Sequence, residues 1–217
     1  MGKKFSIVFL LAIVLGWLPG AGAAPSGGVA SAATVVERLH SALLDAMRGG
    51  TTLGYEGRLR SLAAIVDQSF DFPTISRIVT GAHWEALNPQ QKALFELTFR
   101  NLSISTYASK FDAFSGERFE TLGTDAEEGG RVEVRTRLLR ANGEEVTLSY
   151  VLQEGKRGWR IVNVIADGVS DLSLKRADYT AVLQSSGFDP LIGKLNEKIA
   201  NNQNSSQPGA NNQVGGR

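Results

Sequence analysis

The sequence predicts an α+β domain in which a twisted four-stranded antiparallel sheet carries its helices on one face. Three observations lead there. Apolar residues recur at helical spacing from Thr34 to about Phe111, the period falls to two between Phe119 and Ile165, and the helical period returns from Leu174. A chain of 217 residues with 42% hydrophobic and 21% charged content is long enough to bury a sizeable core.

The elements follow in order. Lys3 and Lys4 precede an apolar run from Phe5 to Leu18 and the small residues Ala21-Gly22-Ala23-Ala24, the three-part pattern of a secretory signal. Cleavage is expected after Ala23, with Ala30-Ser31-Ala32 as a second site, and the run is too short for the ~20 residues that span a bilayer. The expected organisation is a signal peptide over 1–23, a flexible mature N-terminus over 24–33, an α+β domain over 34–200 and a polar disordered tail over 201–217.

Thr34-Val35-Val36-Glu37 reads as a capping box, with Val36, Leu39, Leu43 and Met47 on one face until Gly49-Gly50 stops the helix. A second helix is expected from Tyr55 to Gln68. Asp71-Phe72-Pro73 opens a short one that Gly81 closes, and Asn88-Pro89-Gln90-Gln91 starts a long one with a reciprocal cap. That long helix has two apolar stripes, one through Leu94, Leu97, Ile104, Ala108 and Phe111, the other through Phe95, Phe99 and Leu102. A helix apolar on two sides is central to its domain or divides a core from a cavity.

Phe119 to Leu122 opens the sheet. Val132, Val134, Thr136 and Leu138 then alternate with charged residues, Asn142-Gly143 turns the chain, and Val146, Leu148, Tyr150 and Leu152 form the next strand. Trp159, Ile161, Asn163 and Ile165 alternate with Val162 and Val164, so the last strand is apolar on both faces. After Gly168-Val169-Ser170 helical spacing runs through Leu174, Ala177, Ala181 and Val182, then through Leu191, Ile192, Leu195 and Ile199 beyond Gly187 and Pro190.

Composition excludes several chemistries. With no cysteine there is no disulfide, thiolate metal site, iron–sulfur cluster, cysteine nucleophile or acylated N-terminal cysteine. Loss of Lys3 and Lys4 with the leader takes the formal net charge from +1 to −1, a balance that argues against nucleic acid as a partner. No nucleophile elbow, phosphate-binding glycine loop, dinucleotide fingerprint or zinc helix occurs. Neither a catalytic residue, a metal nor a cofactor is expected. His40 sits beside the apolar face of the first helix, and His83 follows a helix-ending glycine. Asp167 and Asp171 flank Gly168-Val169-Ser170, where Asp171 or Ser170 is suited to capping a helix and Asp167 to holding a turn. A small-molecule enzyme using Asp167 or His83 as acid or base, and an adaptor with a filled core, are the rival readings.

Several features in order resemble the MlaC family of periplasmic lipid carriers, which includes toluene-tolerance proteins and a hopanoid-associated HpnM group. They are Phe70-Asp71-Phe72-Pro73, Val79-Thr80-Gly81-Ala82-His83-Trp84, the helix with Tyr107, Asn142-Gly143, Gly158-Trp159-Arg160-Ile161-Val162 and Asp167-Gly168-Val169-Ser170. The Phe111 to Phe119 run, Arg176-Ala177-Asp178-Tyr179 and Gly187-Phe188-Asp189 lean toward the HpnM branch; Asn163 and Thr80 depart from the family pattern.

The resemblance implies a cystatin-like or nuclear-transport-factor-like (NTF2-like) cone, in which the curved four-stranded antiparallel sheet and the helices packed on one face enclose an apolar pocket for lipid tails. The expected wall is Phe95, Phe99, Tyr107, Val134, Leu138, Leu148, Tyr150, Trp159, Ile161, Ile165 and Val169. It further implies a phospholipid or hopanoid ligand, an inner-membrane ABC transporter with an MCE-type or RND-type lipid partner, and an outer-membrane lipoprotein complex.

Overall fold

The structure, a computed structural model, describes residues 26–206, so the signal peptide and the far C-terminal tail lie outside the described residues. Among the described residues five α-helices pack with a five-stranded antiparallel sheet of order β1-β2-β3-β4-β5. The strands are β1 (Arg118–Glu127), β2 (Arg131–Leu139), β3 (Glu145–Gly155), β4 (Gly158–Ala166) and β5 (Val169–Ser170). Four strands were expected. The fifth is the two-residue segment of the Gly168-Val169-Ser170 turn, which pairs Val169 with Ala166 and Ser170 with Ile165.

The first helix, α1 (Ser26–Ser69), carries non-helical backbone at Gly50 (φ 40°) and Gly54 (φ 61°). It therefore consists of two helical stretches, divided where Gly49-Gly50 predicts a stop. Its start differs from the sequence reading. Helix is present from Ser26, and Thr34 lies inside it with its hydroxyl donating to Ala30 O at 3.0 Å, so Thr34 is not a cap. Residues 26–33 are helical and Ala32 is fully buried, where a flexible start was expected.

α2 (Phe72–Thr80) starts as its sequence requires. Asp71 accepts from Thr74 N at 3.2 Å and from Thr74 Oγ1 at 2.8 Å, with Pro73 in the first turn where its missing N–H costs nothing. A 3₁₀ turn over Gly81–Ala86 leads to α3 (Pro89–Lys110), whose reciprocal cap joins Gln91 N to Asn88 Oδ1 (2.9 Å) and Asn88 N to Gln91 Oε1 (3.0 Å). In α4 (Asp171–Ser185) the cap is Ser170, whose Oγ accepts from Ser173 N at 3.1 Å. α5 spans Phe188–Ser205, so residues 201–205 are helical where the tail was expected to begin.

α1 packs on β1, β2 and β4, while α2 and α4 pack on β4 and on each other. The core joins Val36, Leu39, Leu43 and Leu62 of α1 to Val132, Val134, Tyr150, Leu152 and Ile161 of the sheet. The other sheet face carries ion pairs instead, Arg137 bridging Glu120 and Glu145, and Arg135 meeting Asp125. In α4 the buried residues are Tyr179 and Leu183, whereas Leu174 is 59% exposed, so the expected stripe is rotated from the face that packs.

One irregularity decides what β4 presents. Val151 pairs with Asn163 and Leu152 with Ile161, which leaves Val162 as an extra residue, a β-bulge. Alternation restarts beyond it: Val164 pairs with Tyr150 and Ala166 with Leu148. Ile165 pairs with Ser149 and thus lies on the opposite face from Tyr150.

Candidate functional site

A half-open cavity of about 790 Å³ lies between β4 and helices α2, α3, α4 and α5. That is toward the upper end of the roughly 300–1,000 Å³ of small-molecule pockets. Its floor is an aromatic chain. Phe99, Phe72, Phe70, Tyr107 and Phe111 succeed one another with ring centroids 5.8–6.0 Å apart. The local cause is the placement of α2: Phe70 bridges to Ile161 and Asp71 N donates to Ile161 O at 3.0 Å, fixing Phe70 and Phe72 on the strand beside α3.

Leu102 of α3, Ile75 of α2, Val162 and Val164 of β4 and Leu172 of α4 complete the apolar wall. The two-sided α3 is thereby explained. Phe99, Leu102 and Tyr107 face the cavity, while Tyr55 of α1 bonds Ser105 and Arg58 of α1 bonds the Ala108 carbonyl on another side. Leu94 and Leu97 of the predicted first stripe are 45% and 54% exposed.

The rim is charged. Lys175 pairs with Asp171, and Lys194 and Lys198 pair with Asp178. Lys110, in the last turn of α3, lines the same cavity and has no ion-pair partner among the described residues. Most polar wall groups are already engaged: Ser103 and Thr106 donate to the carbonyls of Phe99 and Leu102 (2.9 and 2.8 Å), and Asn202 donates to Ser105 Oγ at 3.0 Å. Asn163 Oδ1 accepts from Ser170 Oγ (3.1 Å) and Leu172 N (3.3 Å), so Asn163 serves the start of α4.

Of the eleven wall residues expected from the sequence, the structure brings Phe99 and Tyr107 to this cavity. Phe95 lies one layer behind, stacked 6.0 Å from Phe99. Val134, Tyr150 and Ile161 are in the packed core with at most 2% exposure. Leu148 and Trp159 pack on that core, the latter beside Gly28 of α1. Leu138 is buried between Phe119 and Val146, Ile165 is turned away by the bulge, and Val169 is half exposed on β5. The reason is common to most of them: the cavity adjoins the β4 edge and the helices, not the centre of the sheet. Phe70, Phe72, Val162 and Val164 were not anticipated as wall. The one available signal was a last strand apolar at both parities.

The candidate acid and base residues are used otherwise. Asp167 (φ 47°) accepts from Thr147 N (2.9 Å) and Thr147 Oγ1 (3.0 Å), which holds the turn. Neither Asp167 nor His83 lines the cavity. His40 is 5% exposed, stacked on Phe119 at 3.8 Å, with Nε2 3.0 Å from Tyr150 Oη. Burial lowers its pKa from 6.5 to about 4. Above pH 6.5 neither folded nor unfolded chain is protonated there; as pH falls toward 4 only the unfolded chain gains the proton. His40 is thus expected to remove about 3 kcal/mol of stability between pH 6.5 and 4. Urea titrations across that range on the protein and on His40→Gln check this, and a stability difference between the two that does not vary with pH would refute it.

Comparison with known proteins gives three findings. The family model described as MlaC protein matches residues 37–197. The intermembrane phospholipid transport system binding protein MlaC of Haemophilus influenzae is 25% identical over 135 residues, 60% of either chain. The toluene tolerance protein ttg2D of Pseudomonas putida is 24% identical over 136 residues, 62% of this chain and 61% of that protein. The matched stretch thus spans about 60% of the length of these curated relatives. A phospholipid-binding protein from Ralstonia solanacearum, solved in complex with a phospholipid, has the same fold with TM-score 0.67 and 24% identity, covering 79% of this chain and 98% of that one. Among the described residues no helix is long and apolar enough to cross a membrane.

Proposed function

Because this chain belongs to the MlaC protein family, we propose that it is a periplasmic phospholipid carrier whose cavity shields acyl tails on the way between inner and outer membrane. The observation that carries the reading is the cavity itself, an aromatic and aliphatic wall under a charged rim. Each acyl methylene exposed to water costs about 0.8 kcal/mol, so a long-chain lipid does not cross an aqueous space unaided. Inside such a wall the methylenes are shielded much as they are in a bilayer. Net transfer is then close to balanced, and direction has to come from partners at each membrane. An inner-membrane ABC transporter with a lipid-binding substrate protein and an outer-membrane lipoprotein complex fit that role.

Two of the proteins named above, from Haemophilus influenzae and Ralstonia solanacearum, are named for phospholipid transport or binding, and family membership favours a carrier over an acid–base enzyme. The leader over 1–23 is the proposed export signal. Mass spectrometry of organic extracts from protein purified from its native host tests the reading. A near-stoichiometric diacyl phospholipid is expected. A triterpenoid in its place would shift the carrier to the hopanoid branch, and protein that neither carries nor takes up any lipid would overturn it.

A further inference from the structure

Filling an apolar cavity displaces the water that its wall groups bond. A wall hydroxyl without a protein partner then becomes an orphan unless the ligand offers an acceptor. Ser103, Thr106 and Asn202 are protected from this by bonds they donate within the protein, Asn163 has its Oδ1 engaged by Ser170 and Leu172, and Asn201 is exposed at the rim. Tyr107 is different. Its ring forms part of the aromatic floor, and its hydroxyl has no hydrogen-bond partner among the described residues. The Tyr179 hydroxyl is also unpartnered but is closed off, so filling the cavity does not change its state. Burial, with the Asp171 charge second, pushes the Tyr107 phenol above its ordinary range, so it remains a proton donor.

From this placement we infer that Tyr107 reads the ligand's ester carbonyl, making the cavity selective for ester-linked diacyl phospholipids over lipids that are hydrocarbon or ether at that depth. The inference rests on the phospholipid-carrier reading. The surroundings agree with it. Lys110, the rim lysine without an ion-pair partner, follows Tyr107 by three residues on the same helix face, about one turn or ~5 Å along the axis. In a glycerophospholipid the phosphate stands a similar short distance beyond the ester groups. A phosphate near Lys110 therefore brings an ester to Tyr107, with the tails running on toward Phe99 and Phe72.

The experiment compares two phospholipids of identical headgroup and chain length, one diester and one diether, on delipidated full-length protein and on Tyr107→Phe. The wild type is expected to bind the diester about tenfold more tightly, as one buried hydrogen bond of ~1.4 kcal/mol would give. Tyr107→Phe should erase that preference, with diether affinity rising toward that of the diester because no hydroxyl is then orphaned when the cavity fills. With the ester carbonyls isotopically labelled, their infrared stretch should lie lower in the wild-type complex than in the variant. Equal binding of both lipids by the wild type, or a variant that weakens both alike, overturns the inference and leaves the carrier reading standing. Binding of neither lipid overturns both. Should Tyr107→Phe fold poorly, the wild-type ester-to-ether ratio alone decides.

Discussion

Replacing Val164 with arginine is expected to empty the cavity while leaving the fold in place. Val164 is half-buried, pairs with Tyr150 across the ladder and lines the cavity wall. In the empty protein a guanidinium there reaches water through the open side, and Asp171 on the same wall supplies a counter-charge. An entering acyl chain would strip that water, at a cost of several kcal/mol. Lipid affinity should fall at least about a hundredfold, since ~1.4 kcal/mol is a factor of ten. Val134→Arg provides the contrast. Val134 has 0% exposure in the core and no cavity beside it, so that variant should not fold. Circular dichroism melting beside lipid extraction separates the two. A folded Val164→Arg that still carries a full complement of lipid would show that the tails lie elsewhere.

The second large effect concerns stability. Arg58 is 3% exposed and meets no carboxylate among the described residues. Its Nε donates to Ala108 O and its Nη1 to Gly50 O, both at 2.8 Å. It therefore ties the break in α1 to the last turn of α3, where unpaired carbonyls and the negative end of the helix dipole favour a cation. Charge-assisted bonds of this kind contribute about 1.5–3 kcal/mol each, and Arg58→Ala leaves the buried Ala108 carbonyl and the part-buried Gly50 carbonyl without their partner. A loss of about 3–5 kcal/mol follows, or roughly 6–20 °C in Tm at ~2–4 °C per kcal/mol for a chain of this size. Arg58→Lys, with a single point charge in place of the planar fork, should recover part of it. A Tm within a degree or two of wild type for Arg58→Ala would remove the tie from the account.

Much of the fold is legible because its signals are local. Asp71-Phe72-Pro73 and Asn88 to Gln91 cap their own helices, and β2 and β3 alternate because one face is buried and the other carries Arg135 and Arg137. Thr34 misled because a Thr and a Glu three residues apart carry the cap pattern wherever they fall, including mid-helix, where the Thr34 hydroxyl bonds back to Ala30. The cavity was less legible for two reasons. Its walls come from four helices whose mutual packing no periodicity encodes, so Phe70, Phe72 and Leu172 had no mark. And a strand apolar at both parities hides its bulge, which placed Ile165 in the expected wall and left out Val164.

The supernumerary valine has a further meaning for how such a protein varies over generations. Val162 contributes a buried side chain to the cavity, yet it occupies no rung of the ladder: Ile161 and Asn163 pair with consecutive residues of β3 on either side of it. Loss of its single codon would close the kink and keep every other pairing in place. Chamber size and sheet alignment are therefore separately heritable at this point. A lineage can resize this cavity by one deletion, without the compensating changes that a slipped strand would demand elsewhere.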